Sequence, residues 1–143
     1  MAAPTTETAI WMAIKAKIAA MYLDSLPIAW PAQKFAAPTP GGVPAPYLRV
    51  GRVSVAPVRQ FIDGGKPHRR SGSIVITVVY PLGADVAIFD QMAGRVAQYF
   101  KDGTQMFYGG FCVKITSAPT VQEGFEDNGY WQVPVVIDWE CFA

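Results

Sequence analysis

Tyr130-Trp131-Gln132-Val133-Pro134-Val135-Val136-Ile137-Asp138-Trp139-Glu140-Cys141-Phe142 alternates more clearly than any other stretch of the 143-residue chain. Trp131, Val133, Val135, Ile137, Trp139 and Cys141 fall on one side, and Gln132, Pro134, Asp138 and Glu140 on the other. A period of two is that of a half-buried β-strand, so one face must meet a core. Pro134 has no N–H to give to a ladder, which predicts a sheet edge or a bulge at that point. Immediately before it, Asp127-Asn128-Gly129 is a tight-turn signal.

Working back from this strand, Phe107 to Thr116 reads as another strand, interrupted early by Gly109-Gly110. Before that, Asp85 is placed to cap a helix reaching about Lys101, with Val86, Phe89, Met92, Val96, Tyr99 and Phe100 as its apolar face. Gly103 stands where a C-terminal stop belongs. Ser73 to Tyr80 is rich in β-branched residues on both faces, which predicts a central strand covered on both sides. Tyr47 to Val50 opens a further strand that continues through Val53-Ser54-Val55. Its apolar phase slips at Gly51, which predicts a bulge there. At the other end of the chain, Thr5, Thr6 and Glu7 supply capping oxygens and an early acid. Ile10, Trp11, Ile14, Ile18, Met21 and Tyr22 then recur at helical spacing, predicting a helix from about Thr6 to Leu23.

Two segments depart from these periodicities. Residues 27–46 are a Pro-rich connector in which neither a helix nor an inner strand can persist. Trp30 and Phe35 are its anchors, onto the sheet or onto a neighbouring subunit. Residues 56–72 form a long arm with Gly64-Gly65 at its tip. The whole chain, 1–143, reads as one domain: an α+β fold with a mostly antiparallel four-stranded sheet, two helices packed on one face and a long β-hairpin arm.

Composition narrows the function. Charged residues make up 16% of the chain and apolar ones 51%, against about 25% charged in ordinary domains. A small domain so short of charge leaves apolar surface that partner subunits can bury. The net charge of +1 gives no general attraction to nucleic acid or membrane. The first seven residues hold neither a basic nor an apolar signal region, and no apolar run approaches the ~20 residues of a membrane span. Cys112 and Cys141 lie in strand-like runs and read as buried thiols; a disulfide would require their strands to be neighbours.

Catalytic chemistry finds little support. His68 stands in Lys66-Pro67-His68-Arg69-Arg70, with neither an acid nor a nucleophile on a defined turn beside it. Glu123, Glu126 and Asp127 flank a Gly-containing turn and read as a solvated loop. The glycine pairs lack the strand–GxGxxG–helix or Walker context of a phosphate cradle. Two cysteines and one histidine show no zinc spacing. We therefore expect no enzyme, cofactor or metal.

One local charge feature stands out. The arm carries Arg59, Lys66, Arg69 and Arg70 against the single acid Asp63. One reading is a solvated hairpin loop. The other is a contact arm, in which Phe61 and Ile62 anchor in a partner groove while the basic groups, with His68, pair with acids or line a channel. Trp30 and Phe35 complete this set of contact candidates. No sequence-specific DNA-recognition motif accompanies the arm.

Several segments together resemble the tail terminator-like proteins of long-tailed phages. They are the apolar N-terminal helix, the Pro-rich connector into Ala45-Pro46-Tyr47-Leu48-Arg49-Val50, and the strand ending Tyr80-Pro81-Leu82-Gly83 before a helix. The closing stretch, Gly124-Phe125 followed by Tyr130-Trp131-Gln132-Val133-Pro134-Val135, carries the likeness furthest. The resemblance implies a homohexameric ring that caps the head-proximal end of the tail tube, stops its polymerisation and meets the neck. The implied partners are other copies of the chain, the tail tube protein and a neck or head completion protein, with genomic DNA only passing through the lumen and no membrane. Assembly would take place in the host cytoplasm and the finished site would be the virion tail. A neck completion protein or a tube subunit of related fold are the alternatives. The family offers no catalytic residues to carry over, and the long connector and basic arm depart from its pattern.

Overall fold

In a computed structural model, residues 5–21, 26–59 and 68–143 are described. The elements run α1 (Thr6–Ala19), β1 (Ile28–Ala29), β2 (Tyr47–Arg59), β3 (His68–Pro81), α2 (Val86–Tyr99), β4 (Gln105–Tyr108), β5 (Phe111–Ile115), β6 (Thr120–Val121), β7 (Phe125–Asp127) and β8 (Tyr130–Phe142).

Both helices start where side-chain oxygens cap them. Thr5 accepts from the Thr8 N–H at 3.3 Å, and Asp85 accepts from the Ala87 N–H at 2.8 Å. Helix α1 turns Ile10, Ala13, Ile14 and Ile18 inward, and α2 turns Phe89, Met92, Ala93 and Val96 inward. The first helix closes earlier than its stripe predicts. Its last turn tightens as Met21 N–H bonds to the Ile18 carbonyl at 3.0 Å, which tucks Met21 into the core. Tyr22 and Leu23 lie outside the described residues.

The sheet has eight strands in place of the expected four, ordered β1-β2-β3-β8-β5-β4, with β6 and β7 also paired to β8. The difference comes from short pieces. The predicted 107–116 strand is a hairpin, because Gly109 and Gly110 both take positive φ and turn β4 back onto β5. Strands β1, β6 and β7 hold two or three residues each, too few to display a period. Apart from the parallel β1–β2 contact, every pairing is antiparallel.

Strand β8 is the spine. It pairs β3 along its full length, while β7, β6 and β5 share its other side in turn. The edge position allowed for Pro134 is thus overturned: Pro134 sits in a central strand. Its carbonyl accepts from Gln122 N–H at 2.9 Å, so its donor-less nitrogen points to the same side, between β6 and β7. The register slips there by one residue, leaving Glu123 and Gly124 opposite Val133. The ladder therefore loses only the reciprocal bond to Gln122, at the end of β6 where the pairing already breaks.

The bulge expected at Gly51 is also corrected. Strand β2 pairs β3 in constant register through Gly51 and slips only between Val55 and Val58, where Pro57 cannot donate. In β3 the segment Ile76 to Val79 is buried on both faces, as its β-branched run predicts. Helices α1 and α2 cover the face formed by Ile74, Ile76, Val78, Val133, Val135 and Ile137, and one apolar cluster joins them all.

The Pro-rich connector wraps the β2 edge. Trp30 meets Trp11 of α1 edge-on at 6.3 Å, whereas Phe35 lies 5.0 Å from Tyr47 on the opposite face. The connector's regular structure is β1, just before Trp30, and a 3-10 turn at Pro40–Gly42, after Phe35. Both thiols are free, although β5 and β8 are neighbours. Burial, and secondarily the nearby Cys112, pushes the Cys141 thiol up from its ordinary value.

Candidate subunit-contact surface

Alternation in the β2–β3–β8 ladder decides where each arm residue points. In β3 the even positions Ile74, Ile76 and Val78 face the helices, so Arg70 shares their side and Arg69 takes the other. The contacts agree. Arg70 Nη1 donates to Glu7 Oε1 of α1 at 2.6 Å, and its Nε reaches the Ala143 carbonyl at 3.4 Å. Arg69 Nε donates to Glu140 Oε2 of β8 at 3.0 Å on the far face. His68 exchanges backbone hydrogen bonds with Ala143 at 3.0 and 3.2 Å.

These pairings bear directly on the basic arm. The two arginines at its base already have carboxylate partners within the chain. Residues 56–59 belong to β2 and 68–72 to β3, which is paired on both sides. Arg59 pairs through its backbone with His68. Phe61, Ile62 and Lys66 lie outside the described residues. Trp30 and Phe35 dock on their own subunit, though Phe35 stays 37% exposed.

Between α1 and the β2–β3 ladder lies a groove of ≈ 330 Å³, walled by Ile10, Trp11, Ile14, Arg52, Val55 and Trp139, with Glu7 and Arg70 at its rim. Sequence reasoning missed it. The signal was in β2, whose helix-facing phase runs from buried Leu48 and Val50 into polar Arg52 and Ser54. A core-facing row that turns polar marks the place where the helix no longer covers the sheet. The Arg52 guanidinium instead lies 5.0 Å from the Trp11 ring centre, and Lys15 lies 5.4 Å from that of Trp30. The Glu7 carboxyl is held below its ordinary value, first by its own backbone N–H in the opening helical turn and then by Arg70. Trp139 packs on Gly72, and its buried indole N–H has no hydrogen-bond partner among the described residues.

Exposed apolar groups include Val53 and Val55 on β2, Ile88 on α2, Phe107 on β4 and Phe125 on β7. This is the unburied apolar surface that the low charge content predicts. Among the described residues no group of His, Cys, Asp and Glu is arranged to hold a metal, and no helix is long and apolar enough to cross a membrane.

A family model described as phage tail terminator protein matches residues 9–139. One solved protein structure aligns with a TM-score of 0.74 over 96% of each chain. At 21% identity it is similar in fold alone. No curated protein matches the chain.

Proposed function

The chain belongs to the phage tail terminator protein family, and from that premise we propose that it caps the head-proximal end of a tail tube as a hexameric ring. In this reading the ring stops tube polymerisation and joins the tail to the neck. The observation that carries it is the family match across residues 9–139, which includes most of α1, all of α2 and nearly all of the sheet.

The mechanism is capping by shape. One face of the ring docks on the last tube ring, and the other refuses the next. Such a ring closes through a head-to-tail contact in which two different patches of each subunit meet. The exposed apolar residues of β2, β4 and β7 supply surface for these contacts. The role is structural and not enzymatic, and the groove beside α1 fits it, since its arginines meet an aromatic face and a carboxylate already engaged. The partners are further copies, the tube protein and a neck or head completion protein, with DNA passing through the lumen by nonspecific phosphate attraction alone.

The test is the solution mass of the purified protein by light scattering, with negative-stain images of the same fractions and with tube protein added. Closed six-membered rings, or tube growth that stops when the chain is present, support the reading. Long tubes formed by this chain alone would assign it as a tube subunit. A monomer that leaves tube growth unaffected would refute the capping role.

A further inference from the structure

The groove beside α1 is apolar in its depth and carries an engaged ion pair, Glu7–Arg70, at its rim. Arg52, held over Trp11, is the groove cation whose charge no carboxylate balances within the subunit among the described residues. At the opposite end of the molecule, the β7–β8 hairpin presents the reverse chemistry. Glu123, Phe125, Glu126 and Asp127 are all exposed, and residues 120–129 contain no lysine or arginine. The two features lie at opposite ends of one strand. Strand β8 runs from Tyr130 at the hairpin turn to Trp139 in the groove wall, about 30 Å at ~3.4 Å per residue. A subunit therefore cannot fill its own groove with its own hairpin.

We propose that this groove receives the β7–β8 hairpin of a second copy of the chain, Phe125 entering the apolar depth and Glu123 and Asp127, the latter on the same face of β7 as Phe125, meeting Arg52. Charge complementarity selects this occupant: an acidic segment with an exposed aromatic ring faces a groove with an aromatic wall and an uncompensated guanidinium. Two different patches at opposite ends make the contact heterologous, the kind that closes into a ring when its rotation permits. Desolvation inside the groove strengthens the Arg52 pairing relative to an exposed one. This inference rests on the ring reading and names the contact that forms it.

The experiment uses the full chain and measures mass by light scattering at one fixed concentration. Glu123→Arg/Asp127→Arg reverses the hairpin, and Arg52→Glu reverses the groove. Each variant alone should lose the assembled species. An equimolar mixture of the two should regain it, because every contact in an alternating ring then joins opposite charges. That recovery cannot arise from a merely unfolded variant. Should circular dichroism find Arg52→Glu unfolded, the hairpin variant decides alone, since its substitutions lie on exposed positions. Variants that assemble like the wild type, or a mixture of folded variants that stays monomeric, overturn the contact and leave the ring standing. A wild-type chain that is itself monomeric overturns the contact and the self-assembled ring together.

Discussion

Replacing Gly72 by alanine tests the packing argument most sharply, because two opposed effects set its sign. Gly72 lies in β3 opposite Trp139, whose ring covers it. An added Cβ would stand 2.8 Å from Trp139 Cζ2 and would run into the Val53 carbonyl oxygen. Neither neighbour yields cheaply: the carbonyl is backbone in the β2–β3 ladder, and Trp139 is only 7% exposed. Without a clash, Gly→Ala stabilises by about 0.4–1 kcal/mol, through the smaller freedom of the unfolded chain. Overpacking a filled site costs about 1–3 kcal/mol. The clash wins, and we expect a net loss of about 1–2 kcal/mol. Two comparators isolate it. A Cβ at Gly51 meets nothing closer than the Val75 carbonyl oxygen at 4.0 Å, and one at Gly94 meets nothing within 4 Å. Gly51→Ala and Gly94→Ala should therefore stabilise by about 0.5–1 kcal/mol. Urea unfolding at one fixed protein concentration reads all three, the fixed concentration removing any contribution from assembly. If Gly72→Ala raises the midpoint as the other two do, the close packing of Trp139 on Gly72 is refuted.

Other outcomes follow from the same structure. Phe100→Ala empties a position only 1% exposed and should cost about 3–5 kcal/mol by urea unfolding. Asp85→Ala removes the 2.8 Å cap of α2 and should cost about 1 kcal/mol, with Asp85→Asn restoring most of it. Glu7 has its folded-state value depressed by its backbone N–H and Arg70, so its contribution is present above the unfolded carboxylate value near ~4.3 and is lost as pH falls through the folded one. Glu7→Gln should accordingly shrink the drop in Tm between pH 7 and pH 3, as read by thermal melts at the two pH values.

Much of the fold was legible because its signals are local. The alternation of β8 needs only a strand's two-residue period, and its two faces were read correctly, although Gln132 on the polar face is buried and accepts from Arg49. Helix caps at Thr5 and Asp85 act within a few residues of themselves. The 107–116 strand became a hairpin for a reason also present in sequence, since paired glycines at positive φ are a turn as readily as an interruption. The contact surface was less legible. Arg69 and Arg70 read as part of a solvated loop or a contact arm because their partners within the chain, Glu140 and Glu7, are distant in sequence. Arg52 went unnoticed because its surroundings come from α1 and β8 as well as from its own strand.

By itself the sequence determined the two helices, the long strands β2, β3 and β8 with their faces, and the turn between β7 and β8, where Asn128 and Gly129 take the positive φ their residue types favour. These follow from side-chain period, capping chemistry and backbone freedom, all settled within a few residues. Tertiary structure alone decided which strands became neighbours. It made β8 a central strand despite Pro134, by opening a gap between β6 and β7 on the side where the ring nitrogen points. It also turned Arg69 and Arg70 to opposite faces of the sheet, each onto its own carboxylate, and left Arg52 in a groove that exists only once α1 lies beside the β2–β3 ladder. Those outcomes depend on contacts between residues far apart along the chain, and no local pattern encodes them.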